Sequence, residues 1–175
     1  LVLLSIMIKL DSKGPVLFKQ VRVTTYGRKF KIWKFRTMVN HADKLGTQVT
    51  TKGDARITRM GHLLRKVRLD ELPQLFNVLK GDMTFVGTRP EVPKYVAHYT
   101  EEMMATFLLP AGVTSRTSIE YKDEDSLLEN AENADEVYIK EVLPAKMVYN
   151  LREIERFSFM RDICTMIKTV IAVTK

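Results

Sequence analysis

Long hydrophobic runs, cysteines and clustered histidines are all scarce in these 175 residues, and each scarcity removes a class of protein. The purest apolar stretch is the first eight residues, from Leu1 to Ile8. As a helix it rises only about 12 Å, whereas a membrane span needs roughly 20 residues. It reads either as a buried strand or as the stump of a longer hydrophobic element, and the chain does not begin with methionine. Lys9 and Lys13 follow at once, as expected where a hydrophobic segment emerges on the cytoplasmic side. No signal-peptide pattern precedes a cleavage site. The single cysteine, Cys164, excludes an internal disulfide and fits a reducing compartment. His41, His62 and His98 lack the spacing of zinc ligands. The G-x-x-x-x-G-K-[ST] loop, the G-x-G-x-x-G turn and the G-x-S-x-G elbow are missing too, so any phosphate chemistry must rest on arginines and a metal. Repeats, low-complexity tracts and flexible linkers are also lacking, which predicts one domain over residues 1–175.

The charge that is present is unevenly spread. The net charge is +7, yet residues 1–119 carry 20 Lys and Arg against 9 Asp and Glu. Residues 120–136 reverse the sign, with 8 acidic groups against Lys122 alone. A basic body suits a polyanion: nucleic acid, an anionic membrane face or a diphosphate substrate. Aromatic residues make up only 9% and no nucleic-acid-binding motif is present, which argues against nucleic acid.

The fold class expected is α+β, mostly helical, with a small antiparallel hairpin and amphipathic helices at a membrane interface. Residues 16–23 and 30–37 are rich in β-branched and aromatic side chains around a glycine-bearing turn at 24–28, which predicts the hairpin. From Asp54 onward, Ile57, Met60, Leu64 and Val67 recur at helical spacing among arginines, predicting a basic amphipathic helix that stops near Leu69, ahead of Pro73. A short helix follows over 73–79, ending at Gly81, then a strand stub at 83–86 and the turn Gly87-Thr88-Arg89-Pro90. Further helices are expected over 93–108, 135–143 and 145–157, the last two split by Pro144, with an extended segment over 113–121. The final stretch, 159–173, has one apolar face and can lie in a membrane interface or pack on the core.

Asp70-Glu71 falls between two predicted helices, where unpaired N–H groups favour an ionised carboxylate. An acidic pair there is usually a helix cap. It can also supply a nucleophile toward phosphorus or a metal ligand when cations hold it ionised. Arg36, Arg56, Arg65, Arg89 and Arg116 lie at element ends or in turns, where guanidinium groups can fork onto phosphate oxygens.

Four runs then make the sequence recognisable: Lys13-Gly14-Pro15 with Phe18-Lys19-Gln20, Lys34-Phe35-Arg36-Thr37-Met38, Arg65 followed by Leu69-Asp70-Glu71-Leu72-Pro73-Gln74-Leu75-Phe76-Asn77-Val78-Leu79-Lys80-Gly81-Asp82-Met83, and Val86-Gly87-Thr88-Arg89-Pro90. In this order they resemble the bacterial sugar transferases, the monotopic phosphoglycosyl transferases that prime glycan assembly on polyprenol phosphate. The resemblance implies that Asp70 attacks the β-phosphorus of a UDP-sugar, releasing UMP, and that undecaprenyl (polyprenol) phosphate then takes up the phosphosugar. It implies Glu71 as a helper, Mg²⁺ held at Asp70 or Glu71, and phosphate contacts from Arg65 and Arg89 and then Arg36 and Arg56. It further implies a place on the cytoplasmic face of the bacterial plasma membrane, with residues 1–8 left from a re-entrant membrane helix. The family's G-P-R-P turn is Gly87-Thr88-Arg89-Pro90 here, and Lys122 stands where many members carry an arginine. The readings from other classes are discharge of an Asp70 adduct to water and a non-catalytic basic module that binds anionic lipid or nucleic acid.

Overall fold

The computed structural model describes residues 1–42, 45, 49–51, 53–121, 127–128, 131 and 133–174. The apolar start is a helix, α1 (Val2–Asp11), and not a strand. Its spacing explains this: Leu4 and Ile8, four residues apart, turn to one side and pack with Phe35 and Leu64. Leu1, Val2, Leu3, Ile6 and Leu10 stay exposed. Strands β1 (Leu17–Val23) and β2 (Lys29–Phe35) form the expected antiparallel hairpin, with Leu17 opposite Phe35 and Val23 opposite Lys29. Tyr26 and Gly27 take left-handed backbone angles in the connecting turn, and the Thr24 N–H donates to the Arg28 carbonyl to close it.

Helix α2 (Arg59–Lys66) starts later than its apolar spacing suggests, because the Thr58 hydroxyl accepts the Gly61 N–H and caps it. It also ends earlier, because Arg68 turns into the left-handed region at φ 54°. Helix α3 (Gln74–Leu79) follows Pro73, and then comes β3 (Thr84–Val86). A crossover returns the chain to β4 (Gly112–Thr114), which pairs with β3 in parallel, Thr84 to Gly112 and Val86 to Thr114. The expected single helix over 93–108 is broken into α4 (Pro93–Val96), α5 (Glu101–Met104) and a 3₁₀ run Ala105–Leu108. Thr100 starts the new helix by accepting the Met103 N–H, a competing cap that the apolar spacing conceals.

Two further expectations are corrected. Residues 113–121 are extended only through Thr114; Ser115 then caps helix α6 (Arg116–Glu120) by accepting the Ser118 N–H. Pro144 does not split the next helix. Helix α7 (Ala134–Val137) runs through a π-helical turn, Tyr138–Val142, into α8 (Leu143–Glu155), whose first turn needs no N–H from Pro144. Helix α9 (Phe159–Thr174) closes the described chain. One apolar cluster sits among Val92, Tyr95, Tyr138, Val142, Leu143 and Met147, a second joins Phe30, Ile32 and Met83, and the third is the Ile8–Phe35–Leu64 cluster. Among the described residues no helix is long and apolar enough to cross a membrane.

Candidate active site

The chain reverses sharply between α2 and α3, and Asp70-Glu71 sits in the reversal as part of a 3₁₀ turn, Leu69–Glu71. A left-handed Arg68 costs of order 1 kcal/mol, so the turn persists only because its flanks are anchored. Leu69 and Leu72 supply that anchoring by packing against the Ile8–Phe35–Leu64 cluster. Gly61 lets α2 lie directly on the backbone of Thr37, where any Cβ would collide with the carbonyl. That close approach brings Arg65 Nε within 3.0 Å of Thr37 Oγ1. On the other side, the fully buried Asn77 completes the open edge of β2: its Oδ1 accepts the Trp33 N–H at 3.0 Å and its Nδ2 donates to the Lys31 carbonyl at 2.9 Å. The asparagine of the long motif therefore clips α3, and with it the acidic turn, onto the hairpin.

The two carboxylates are both buried but live in different electrostatic surroundings. Glu71 Oε1 accepts from Arg89 Nη2 at 2.7 Å and from Lys34 Nζ at 2.8 Å. Burial alone would raise its pKa, but Arg89 and then Lys34 overcome that and hold it well below the usual carboxylate range. Asp70 goes the other way. Burial raises its pKa, opposed by the charges of Lys34, Arg65 and Arg89 and reinforced by Glu71. Its Oδ1 is shielded from solvent and has no hydrogen-bond partner among the described residues. The arrangement thus favours the ionised form of one carboxylate, paired with two cations, beside a second that is more basic and under the influence of three cations.

Of the residues singled out from the sequence, the fold gathers Asp70, Glu71, Arg65 and Arg89. Arg36 and Arg56 are committed elsewhere. The buried Arg36 donates through Nη2 to the Ser12 carbonyl at 2.7 Å, to Ser12 Oγ at 3.0 Å and to the Ile8 carbonyl at 3.3 Å, bracing the end of α1. Arg56 pairs with Asp54 at 2.6 Å and donates to the Ala42 carbonyl at 3.1 Å, tying down a loop. Lys122 lies outside the described residues. Arg116 lines two basic hollows of about 190 and 170 Å³ that do not include Asp70 or Glu71.

Lys34 is the site residue that sequence reasoning passed over. The signal was in the strand alternation: Phe30 and Ile32 face inward on β2, and Lys34 shares their face. A lysine on an inward face calls for a buried anion, and Glu71 is that anion.

No group of three or more His, Cys, Asp or Glu residues that could hold a metal occurs among the described residues. That donor set still suits Mg²⁺, which binds through one or two carboxylates together with substrate phosphates. Asp70 Oδ1 is unpartnered, whereas Glu71 Oε1 is already shared by two cations.

The class of protein this outlines is a mixed α+β fold whose buried acidic turn is ringed by Arg89, Lys34 and Arg65, a charge arrangement suited to phosphate groups without a phosphate loop. The family model for bacterial sugar transferases matches residues 1–175, and the chain belongs to that family. It is 36% identical over 169 residues to the UDP-N-acetylgalactosamine-undecaprenyl-phosphate N-acetylgalactosaminephosphotransferase of Aeromonas hydrophila, covering 95% of this chain and 37% of that protein. It is 35% identical over 175 residues to the UDP-glucose:undecaprenyl-phosphate glucose-1-phosphate transferase of Xanthomonas campestris pv. campestris, covering 97% of this chain and 34% of the relative. A putative undecaprenyl-phosphate N-acetylgalactosaminyl 1-phosphate transferase of Bacillus subtilis is 46% identical over 99 residues, covering 57% of this chain and 55% of that protein. The chain thus spans about a third to a half of the length of these relatives.

Proposed function

We propose that this chain catalyses transfer of a sugar 1-phosphate from a UDP-sugar to undecaprenyl phosphate, with Asp70 as the nucleophile. The observation that carries this reading is the unpaired, buried Oδ1 of Asp70 beside Lys34, Arg65 and Arg89. The names of the relatives support the donor and acceptor classes. In the first step a carboxylate oxygen of Asp70 bonds to the β-phosphorus as the bond from that phosphorus to the bridging oxygen breaks, and UMP leaves with the electron pair. An oxygen of undecaprenyl phosphate then attacks the same phosphorus, freeing the Asp70 carboxylate and leaving the sugar on a lipid diphosphate.

The remaining roles follow from the contacts. Arg89 and Lys34, fixed by Glu71, present N–H groups toward phosphoryl oxygens, and Arg65 adds positive potential from the other side. Glu71, held ionised by its two cations, acts as their anchor and not as a proton carrier. Mg²⁺ bound at Asp70, with Glu71 beside it, would supply further neutralisation of the diphosphate. Arg36 and Arg56 are read as braces of the scaffold, and Lys122 as a candidate phosphate contact in place of the family arginine. Exposed Leu1, Val2, Leu3, Ile6 and Leu10 on α1, with Phe159, Met160, Ile167, Val170 and Ile171 on α9, supply apolar faces for the lipid side. The site of action in this reading is the cytoplasmic face of the bacterial plasma membrane.

The test is UMP release and glycolipid formation by membrane-embedded protein given undecaprenyl phosphate and either UDP-N-acetylgalactosamine or UDP-glucose. UMP and glycolipid appearing together, and both lost in Asp70→Asn, support the reading. UMP without glycolipid would favour discharge to water. Binding to anionic vesicles with neither product from either donor would favour a non-catalytic basic module.

A further inference from the structure

One face of the hairpin carries two cations, and each is matched by a buried glutamate. Phe30, Ile32 and Lys34 on β2 stand opposite Arg22, Gln20 and Phe18 on β1, so Lys34 and Arg22 project from the same side of the sheet. Lys34 holds Glu71. Arg22 approaches Glu91 Oε2 at 3.7 Å and donates to the Pro90 carbonyl at 3.0 Å, while its other nitrogens donate to Gln20 Oε1. Arg89 belongs to the same short segment and reaches across to Glu71. The segment 89–91 is therefore anchored on each side of Pro90, through Arg89 to Glu71 and through Glu91 to Arg22.

Glu91 is tied to a third part of the fold as well. Its Oε1 accepts the Tyr138 hydroxyl at 2.5 Å and lies 3.7 Å from Lys146 Nζ, which also donates to the Tyr138 oxygen at 3.0 Å. Its backbone carbonyl accepts the Val23 N–H at 3.0 Å. All four side chains except Arg22 are buried below a tenth of their surface. Tyr138 opens the π-helical turn, and Lys146 lies one further turn into α8. π turns of this kind often mark functional positions, and here the wide turn presents a hydroxyl to the carboxylate.

We propose that Glu91 is the positioning residue for Arg89, with Tyr138 and Lys146 as its backing. The clamp fixes the Pro90 and Glu91 carbonyls, directly after the arginine, so that the Arg89 guanidinium arrives at Glu71 already aimed at the reacting phosphoryl group. The helical segment 134–155 thereby helps to set the geometry of Arg89 through Glu91. Its effect on turnover rests on the phosphosugar-transfer reading above, but its effect on the direction of Arg89 does not.

Two readouts on the same variants test it. The Arg89 Nε–H resonance should move in Glu91→Gln toward its position in Glu71→Gln, and move partway in Tyr138→Phe. In turnover, Glu91→Gln should cost about tenfold in kcat in the wild-type background but less than about twofold once Arg89 is alanine, because coupled residues lose their effects together. Tyr138→Phe, the gentler change, should cost about threefold and show the same loss of effect. A resonance left in place, or equal costs in both backgrounds, would overturn the clamp. If the wild-type protein produces no UMP, the transfer reading falls, and the resonance still decides whether Glu91 aims Arg89.

Discussion

Two regions of the molecule use arginine in opposite ways. Around the acidic turn, Arg65 and Arg89 bring charge to bear on Asp70, and Arg89 pairs with Glu71. At the base of the hairpin, Arg36 is buried against backbone carbonyls of α1, and Arg56 is spent on Asp54 and a loop. Arg36 and Arg89 lie inside the recognised motifs, Arg65 just ahead of one and Arg56 outside them, and no property of the side chains themselves separates them. What separates them is which part of the fold lies at the far end: Arg89 reaches Glu71 and Arg65 acts on Asp70, whereas Arg36 ends on carbonyls at the end of α1 and Arg56 on Asp54 and the Ala42 carbonyl. A motif arginine is evidence of a fixed cation, and only the fold says what it is fixed for.

The largest effect that can break this contrast is loss of the nucleophile. Asp70→Asn should reduce UMP release by on the order of 10⁴-fold. Its melting temperature should hold or rise, since burial lifts the Asp70 pKa and the ionised form therefore weakens the fold above the ordinary carboxylate range. Arg89→Ala comes next, with turnover lowered about 10²-fold, as for loss of one donor at a developing charge. Arg89→Lys should recover only part, because an ammonium is not a fork.

Arg36→Met tests the other side. It should cost about 1.5–3 kcal/mol in denaturant melts through lost charge-assisted bonds, while UMP formation per folded molecule stays within about threefold. A hundredfold loss of turnover in a well-folded Arg36 variant would move that residue into the reaction centre.

The smallest effect is at Asp54. Its hydrogen bonds to Arg56 lower its pKa against the opposing pull of burial. A carboxyl depressed in the folded state stabilises above its unfolded pKa and stops doing so as pH falls through the folded one. The gap between wild type and Asp54→Asn, about 1 kcal/mol at neutral pH, should therefore close in strongly acidic urea melts. A gap that stays constant with pH would mean that the loop is not held by this pair.

The hairpin, the acidic turn and α3 were legible because their signals are local: alternation, a glycine turn and Pro73 opening a helix. Lys34 was half-legible, since its inward parity marks a buried charge but does not name Glu71 as partner. Competing caps at Thr100 and Ser115 cut short a helix and a strand that hydrophobic spacing alone would extend. Pro144 was misleading because a preceding π turn lets a helix pass through it. The Arg22–Glu91–Tyr138–Lys146 group was invisible, as it joins residues up to 124 positions apart through the fold alone.

The proposed transfer requires Asp70 to become covalently loaded, and intact-protein mass reads that directly. Incubation with a panel of UDP-sugars and Mg²⁺, in membranes and without undecaprenyl phosphate, should add one sugar-phosphate mass to the wild-type chain and none to Asp70→Asn. An adduct of the same size on the Asp70→Asn protein, or glycolipid formed at full rate by that variant, would contradict it.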